Sequence, residues 1–522
     1  MISVVLALCL QSDPPPVAIR GATVVMEPGR TLENATVVLR GGLIEAVGAD
    51  AAVPGDAKVI DGKGLFVYAG FIDAHARFGL LSTRLTADEI AAREGERPDF
   101  AREPLFRMQD ANRRGIRPDL AACELAVPSE GEIRKWHAAG FAVAVTAADE
   151  EYVSGTSAIL SLSGAPRRES ILTPRWGMHA SFRAYGDGYP RTVMGALAHL
   201  RQLLLDAGDY RKKWADYRSS PQGKSRPPYD PALEALFPVL DRELPLVFEA
   251  DTENEIVRAL DFSAEFRLRL VLSGAGEAYK VVGRVAYLPI LLDVGLPKEP
   301  KARKDDDRPK KLIEEEKRLR EERVRCAIRL AASEIPFAFA THRASPADLL
   351  ENVAKLVECG LSREDAIEAL TSAPARILGL DRLGTIEPGK FAHLTVLTAP
   401  LGDKKAKVRY VIADGRLFEF DVAKPEIDLT GKWRVSVVSP QMEAVLHLEQ
   451  RGAEVTGTIA TEEGTIGVTG TVSGKSFTLK GSYEGVDFVA EGDWKDGKLS
   501  GKVRTPMGES DFTAVKPEGR HE

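Results

Sequence analysis

The segment Ala69-Gly-Phe-Ile-Asp-Ala-His-Ala-Arg-Phe78 carries Asp73, His75 and Arg77 at every second position, directly after the apolar run Leu65, Phe66, Val67 and a glycine. In an extended strand this spacing sets all three side chains on one face, at the end of a β-segment where polar groups converge on a ligand. An imidazole and a carboxylate on one face are donors that a divalent ion takes. A guanidinium on the same face keeps its proton and repels such an ion. The chemistry of the chain therefore turns on whether this face holds a metal.

Such a strand needs a scaffold, and the middle of the chain supplies one. Phe141 to Thr146, Leu246 to Phe248, Leu268 to Leu272, Leu288 to Leu292 and Pro336 to Ala340 are apolar at consecutive positions, as strands buried on both faces of a parallel sheet must be. Helical patterns at Thr192 to Ala207, Glu253 to Phe262 and Ala347 to Glu358 lie between and after them, the last opened by Ser345-Pro346 as N-cap and N1. Repeated βα units predict a (β/α)8 barrel. No G-x-G-x-x-G follows the first strand, which argues against a dinucleotide fold.

The flanks differ. Residues 17–68 and 383–420 read as short strands broken by Pro28-Gly29, Gly41-Gly42, Pro54-Gly55 and Asp414-Gly415, two incomplete sets that predict one composite β-sandwich around a barrel at 69–382. Residues 428–516 alternate apolar and polar residues between turns such as Ser473-Gly474-Lys475, predicting a separate antiparallel barrel or sandwich of about eight strands. Residues 1–16 pair an apolar run with three prolines and read as an export leader, without a basic start. Tyr210 to Asp230 and the charged Lys298 to Arg325 read as insertions, the second running into a helix with Val324, Ala327, Ile328 and Ala331 on one face.

With 522 residues, 44% apolar and 28% charged, the composition is that of a soluble globular protein of two or three domains. A net charge of -7 and an isoelectric point near 5.8 give no footprint for nucleic acid, and no segment is long and apolar enough for a transmembrane span. Cys123, Cys326 and Cys359 are widely spaced and read as free thiols.

Phe71-Ile-Asp-Ala-His75 after its glycine, the closing run from Gly360 to Gly379, and Gly384-Thr-Ile-Glu-Pro-Gly-Lys390 resemble the amidohydrolase superfamily, nearest its imidazolonepropionase-like branch. The resemblance spans residues 17–420 and leaves the C-terminal β-domain outside. It implies a metal-dependent barrel that hydrolyses carbon-nitrogen bonds other than ordinary peptide bonds with a metal-bound water. Such barrels supply His-x-His from the first strand, histidines from the fifth and sixth, and an Asp after the eighth.

This chain departs from that pattern. Arg77 stands where the second His belongs, Glu249 takes the fifth-strand position, Ser273 or Gly274 the sixth, and His342 the place of the Asp. Two readings stand open. His75, Glu249 and His342 can hold one zinc or iron ion with an open position. Alternatively, Arg77 excludes the metal and pairs with Glu249. His179 and Asp293 are candidates for touching a small-molecule substrate. Asp73 is expected to orient a ligand residue from behind. His137 (on a helix surface), His199, His393 and His447 read as structural. The alternative from another class is a catalytically inactive barrel that binds a small molecule or a partner.

Overall fold

The computed structural model describes residues 16–81, 115–148, 151–183, 190, 192–297, 309–420, 427–437, 442–451, 454–461, 464–483, 486–495, 497–505 and 508–516. The leader expected at 1–16 lies outside them but for Pro16, as do residues 298–308 of the charged insertion. The chain divides into two compact units, Met1–Phe418 and Glu419–Glu522.

In the first unit both ends of the chain feed one mixed eight-stranded sheet. Its order is Arg416–Glu419, Val408–Ala413, Leu394–Leu397, Phe66–Ala69, Val17–Glu27, Arg30–Arg40 and Leu43–Gly48, with Lys58–Asp61 beside Val17–Glu27. Gly41 and Gly42 both take positive φ, which a two-residue turn between twisted antiparallel strands requires. Ile19, Val24, Val37, Leu394 and Val396 form its buried core.

Phe71–Ala76 pairs in parallel with Phe141–Thr146, and Met178–Ser181, Leu246–Ala250, Leu270–Gly274, Ile290–Asp293 and Phe337–Ala340 pair in parallel in that order. The Thr341 amide donates to the His75 carbonyl at 3.1 Å, bringing the last of these strands beside the first. The result is a TIM-barrel-like domain, with one irregularity. Val153–Thr156, Ala158–Ser161 and Ile171–Thr173 run antiparallel to their neighbours. Phe141–Thr146 pairs antiparallel with Ala158–Ser161, Thr146 lying opposite Ala158, across a connection shorter than the roughly a dozen or more residues of a parallel crossover. The uniform βα repeat expected from the sequence is broken there.

Helices start where the sequence provides caps. Ser129 and Glu132 form a capping box on Glu130–Ala139, and Thr252 and Glu255 form one on Glu253–Phe266. The helix predicted to end at Ala207 continues to Ser219, so the first part of the Tyr210 insertion is helical. The charged segment forms Lys310–Val324 and Cys326–Ala332, separated at Arg325.

The second unit is a closed barrel of eight antiparallel strands from Gly431–Val437 to Gly508–Val515, the last pairing with the first. Trp433, Leu446, Leu448, Phe477 and Leu499 pack its interior. Of the two architectures open from the sequence, the barrel is the one observed. No helix among the described residues is long and apolar enough to cross a membrane.

Candidate active site

Every residue of the Phe71–Ala76 strand is buried, so its polar side chains must be satisfied inside the barrel. Asp73 accepts from the Trp136 indole at 2.9 Å, from the Thr341 amide at 3.0 Å and from the Thr341 hydroxyl. Burial lifts its carboxyl to about 6, against the lowering effect of those bonds. It braces the backbone where the first and last strands meet. The group that meets the His75 imidazole is instead Ser273, whose Oγ lies 2.7 Å from Nδ1. Ser273 stands at the end of Leu270–Gly274, in the position where the resemblance implies a histidine, while Asp73 holds the backbone amide of His75 at 3.4 Å.

Three strand ends bring histidines together. The ring of His75 lies 4.6 Å from that of His179 and 4.2 Å from that of His342, the latter pair 11° from parallel. Burial first, then the charge of His342, holds His75 well below the usual imidazole range and His179 at about 3, so both are neutral. Nε2 of each is buried without a hydrogen-bond partner among the described residues.

Glu249, on Leu246–Ala250, sits 3.2 Å from His342 Nε2. Burial would raise its carboxyl; the hydrogen bond and charge of His342, with the charge and bond of Arg343, bring it down to about 2. The guanidinium on Glu249 belongs to Arg343, while Arg77 is exposed after the end of its strand. This corrects the pairing expected from the sequence. Arg77 leaves the buried face because strand Phe71–Ala76 ends one residue earlier.

Arg343 also approaches Asp251 at 3.6 Å, and Asp251 pairs with Arg323 and accepts from the Gly276 amide at 2.9 Å. Asp293 accepts from the amides of Gly295 (2.7 Å) and Arg343 (2.9 Å), and burial raises its carboxyl. Asp251, Asp293, Arg323 and Arg343 line a cavity of about 280 Å³ whose apolar wall includes Leu292, Phe339 and Leu356. Asp293 lines that cavity, and His179 lies in the histidine cluster. Of the other histidines, His137 is buried against Phe418, ring centroids 4.1 Å apart, and not on a surface. His393 is buried 2.9 Å from Asp414.

These residues do not fit a divalent metal. Lone pairs of imidazole lie in the ring plane, so two nearly parallel stacked rings cannot both aim a nitrogen at one ion about 2.0–2.1 Å away. Glu249 is covered by a guanidinium. No group of three or more His, Cys, Asp or Glu among the described residues is placed to hold an ion.

Arg343, Ser273, Asp251 and Arg323 were not among the residues singled out from the sequence as site residues. The available signals were Ser273 in the sixth-strand position and Arg343 directly after His342 at a strand end.

No curated protein matches the chain. The Amidohydrolase family model matches residues 290–418, a quarter of the sequence that includes Asp293, His342 and Arg343. A Xaa-Pro dipeptidase with bound methionine in the active site is 15% identical, covering 78% of this chain and 100% of its own, with a TM-score of 0.44. The β-aspartyl dipeptidase of Fervidobacterium islandicum AW-1 is 12% identical, covering 79% and 98%, with a TM-score of 0.41. An amidohydrolase from Thermotoga maritima MSB8 is 23% identical, covering 77% of this chain and 100% of its own, with a TM-score of 0.60. That likeness gives the fold: over some three quarters of its length, this chain has the fold of the Thermotoga amidohydrolase.

Proposed function

We propose that this protein is an amidohydrolase-family hydrolase that cleaves a carbon-nitrogen bond, other than an ordinary peptide bond, in a small molecule, through a metal-free site formed by His75, His179, Glu249 and His342. The family model over residues 290–418 and the motifs at Phe71–His75 and Gly384–Lys390 support the family. The observation that carries the chemistry is the pair of neutral imidazoles, His75 and His179, with unpartnered Nε2 atoms. In the tautomer where His75 Nδ1–H donates to Ser273, Nε2 carries a lone pair and acts as base. It takes a proton from water as the water oxygen bonds to the acyl carbon. The carbon-nitrogen bond then breaks, and that proton passes to the leaving nitrogen.

The test is turnover of a panel of cyclic amides, N-acyl amino acids and acyl dipeptides followed by mass spectrometry, with His75→Asn and Glu249→Ala as controls. Hydrolysis abolished by His75→Asn supports the reading, and absence of hydrolysis across the panel overturns it. The pairing of Arg343 with Glu249 favours a second reading, a barrel that binds a small molecule without cleaving it. Saturable binding of a panel member that is returned intact would establish that one.

A further inference from the structure

We propose that the guanidinium of Arg343 is the resident cation of this site and stands in the volume that a divalent metal would need. The inference rests on placing the site at Glu249 and His342, as the proposed function does, but it concerns what occupies that site.

Arg343 immediately follows His342 at the end of Phe337–Ala340. Its amide donates to Asp293 at 2.9 Å. Its side chain then lies between two carboxylates, paired with Glu249 and 3.6 Å from Asp251. Glu249 in turn holds His342 Nε2 at 3.2 Å. Carboxylates and an imidazole are donor types that zinc takes, and here the two carboxylates hold the Arg343 guanidinium instead, Asp251 sharing it with Arg323. An arginine in this position cannot deprotonate to make way. It is also a fork with five N–H donors, of which Glu249 and Asp251 engage only part. Because Arg343 lines the 280 Å³ cavity, with its side chain 34% exposed, the remaining donors can meet a carbonyl or carboxylate oxygen of a ligand there. A guanidinium polarises such an oxygen but does not generate hydroxide from water. That leaves proton removal to an imidazole.

The experiment is calorimetric titration of chelator-treated full-length protein with zinc chloride, comparing wild type with Arg343→Ala, Arg343→Met and Arg343→Lys. Wild type and Arg343→Lys are expected to bind zinc weakly. Arg343→Ala and Arg343→Met are expected to bind one equivalent at least about tenfold more tightly, a gain lost when Asp251→Asn is added. Circular dichroism establishes that each variant is folded, and Arg343→Met keeps most of the packing should Arg343→Ala not fold. One equivalent of tightly held zinc in the wild type overturns the proposal. So does a folded Arg343→Met that binds zinc no better than wild type. Failure to cleave any amide would overturn the hydrolytic reading and leave this titration standing.

Discussion

The imidazole of His75 lies face to face with that of His342, ring centroids 4.2 Å apart and planes 11° from parallel, while its Nδ1 meets Ser273 Oγ at 2.7 Å. Stacking fixes the plane of the ring, and the hydroxyl fixes its rotation within that plane and its tautomer. Replacing Ser273 with Ala removes the second constraint at a site that is fully buried. The expected loss of stability is about 1 kcal/mol, with the ring nitrogens of His75 moving from one tautomer towards a mixture. Nitrogen-15 NMR of histidine-labelled protein reads this directly; an unchanged His75 signal in the variant would mean that Ser273 does not set the tautomer.

Asp73 accepts from four donors, the indole of Trp136, the amide and hydroxyl of Thr341 and, at 3.4 Å, the amide of His75. Asn has one acceptor oxygen and turns an NH2 towards these donors, so Asp73→Asn leaves buried N–H groups without acceptors. The expected cost is about 1–3 kcal/mol. Thr341→Val, which removes only one donor, should cost less. Urea unfolding of the two variants checks the order, and an Asp73→Asn protein as stable as wild type would refute the bracing role.

How much of this could be read in the sequence follows from the range of the forces involved. Buried strands such as Phe141–Thr146 and Phe337–Ala340 announce themselves by local apolar runs, and the C-terminal strands by alternation and Gly turns. The positions of His75, Glu249 and His342 at strand ends were legible because each lies in or just after a buried apolar run. The partner of Glu249 was not. Arg77 and Arg343 are equally suitable by charge, and the choice depends on where Phe71–Ala76 stops and on the amide of Arg343 reaching Asp293. Those are tertiary facts. The antiparallel stretch at 153–173 was missed for a related reason, since pairing direction is set by loop length and neighbours rather than by composition.

Acid should destabilise the protein in two stages. Burial lowers His137 to about 4 and His179 to about 3, and His75 as well, while the unfolded chain protonates histidine near 6.5. The unfolded state therefore binds more protons below pH 6.5, and stability falls as pH falls. Glu249 and Asp414, each held at about 2 against burial by their hydrogen-bonded partners, add a further loss as pH drops below the ordinary carboxylate range. Asp73, raised to about 6, and Asp293, also raised by burial, act in the opposite sense. The lowered groups outnumber these two, so melting temperature should decline steadily from pH 7 to pH 4. Thermal melts across that range check it, and a flat profile would contradict the neutral, buried histidines.

Gly155 tests the irregular part of the barrel. Its φ is +92°, and a Cβ there would lie 2.3 Å from the Leu120 carbonyl oxygen. Backbone cannot move aside as a flexible side chain can, because Thr156 N is bonded to that same oxygen at 2.8 Å. Gly155→Ala therefore combines backbone strain with a clash and should cost more than about 3 kcal/mol, giving little soluble protein. Soluble Gly155→Ala with a wild-type melting temperature would show that Val153–Thr156 takes another path.

The C-terminal unit should fold on its own. Its eight strands close on themselves, so no sheet edge is left to be covered by the rest of the chain. It has its own apolar core, in which the Trp433 indole donates to Leu429 O at 2.8 Å. Glycines at 457, 470, 492 and 501 lie where a Cβ would come within 2.4 Å of a neighbouring strand's carbonyl oxygen, as tight closure of a small barrel requires. A fragment of residues 427–522 is expected to give a β-rich circular dichroism spectrum and a cooperative melt. In a fragment carrying Trp494→Phe, quenching of Trp433 fluorescence by iodide should be weak when folded and strong in urea. A fragment that shows no cooperative transition would mean that the barrel depends on residues 1–418.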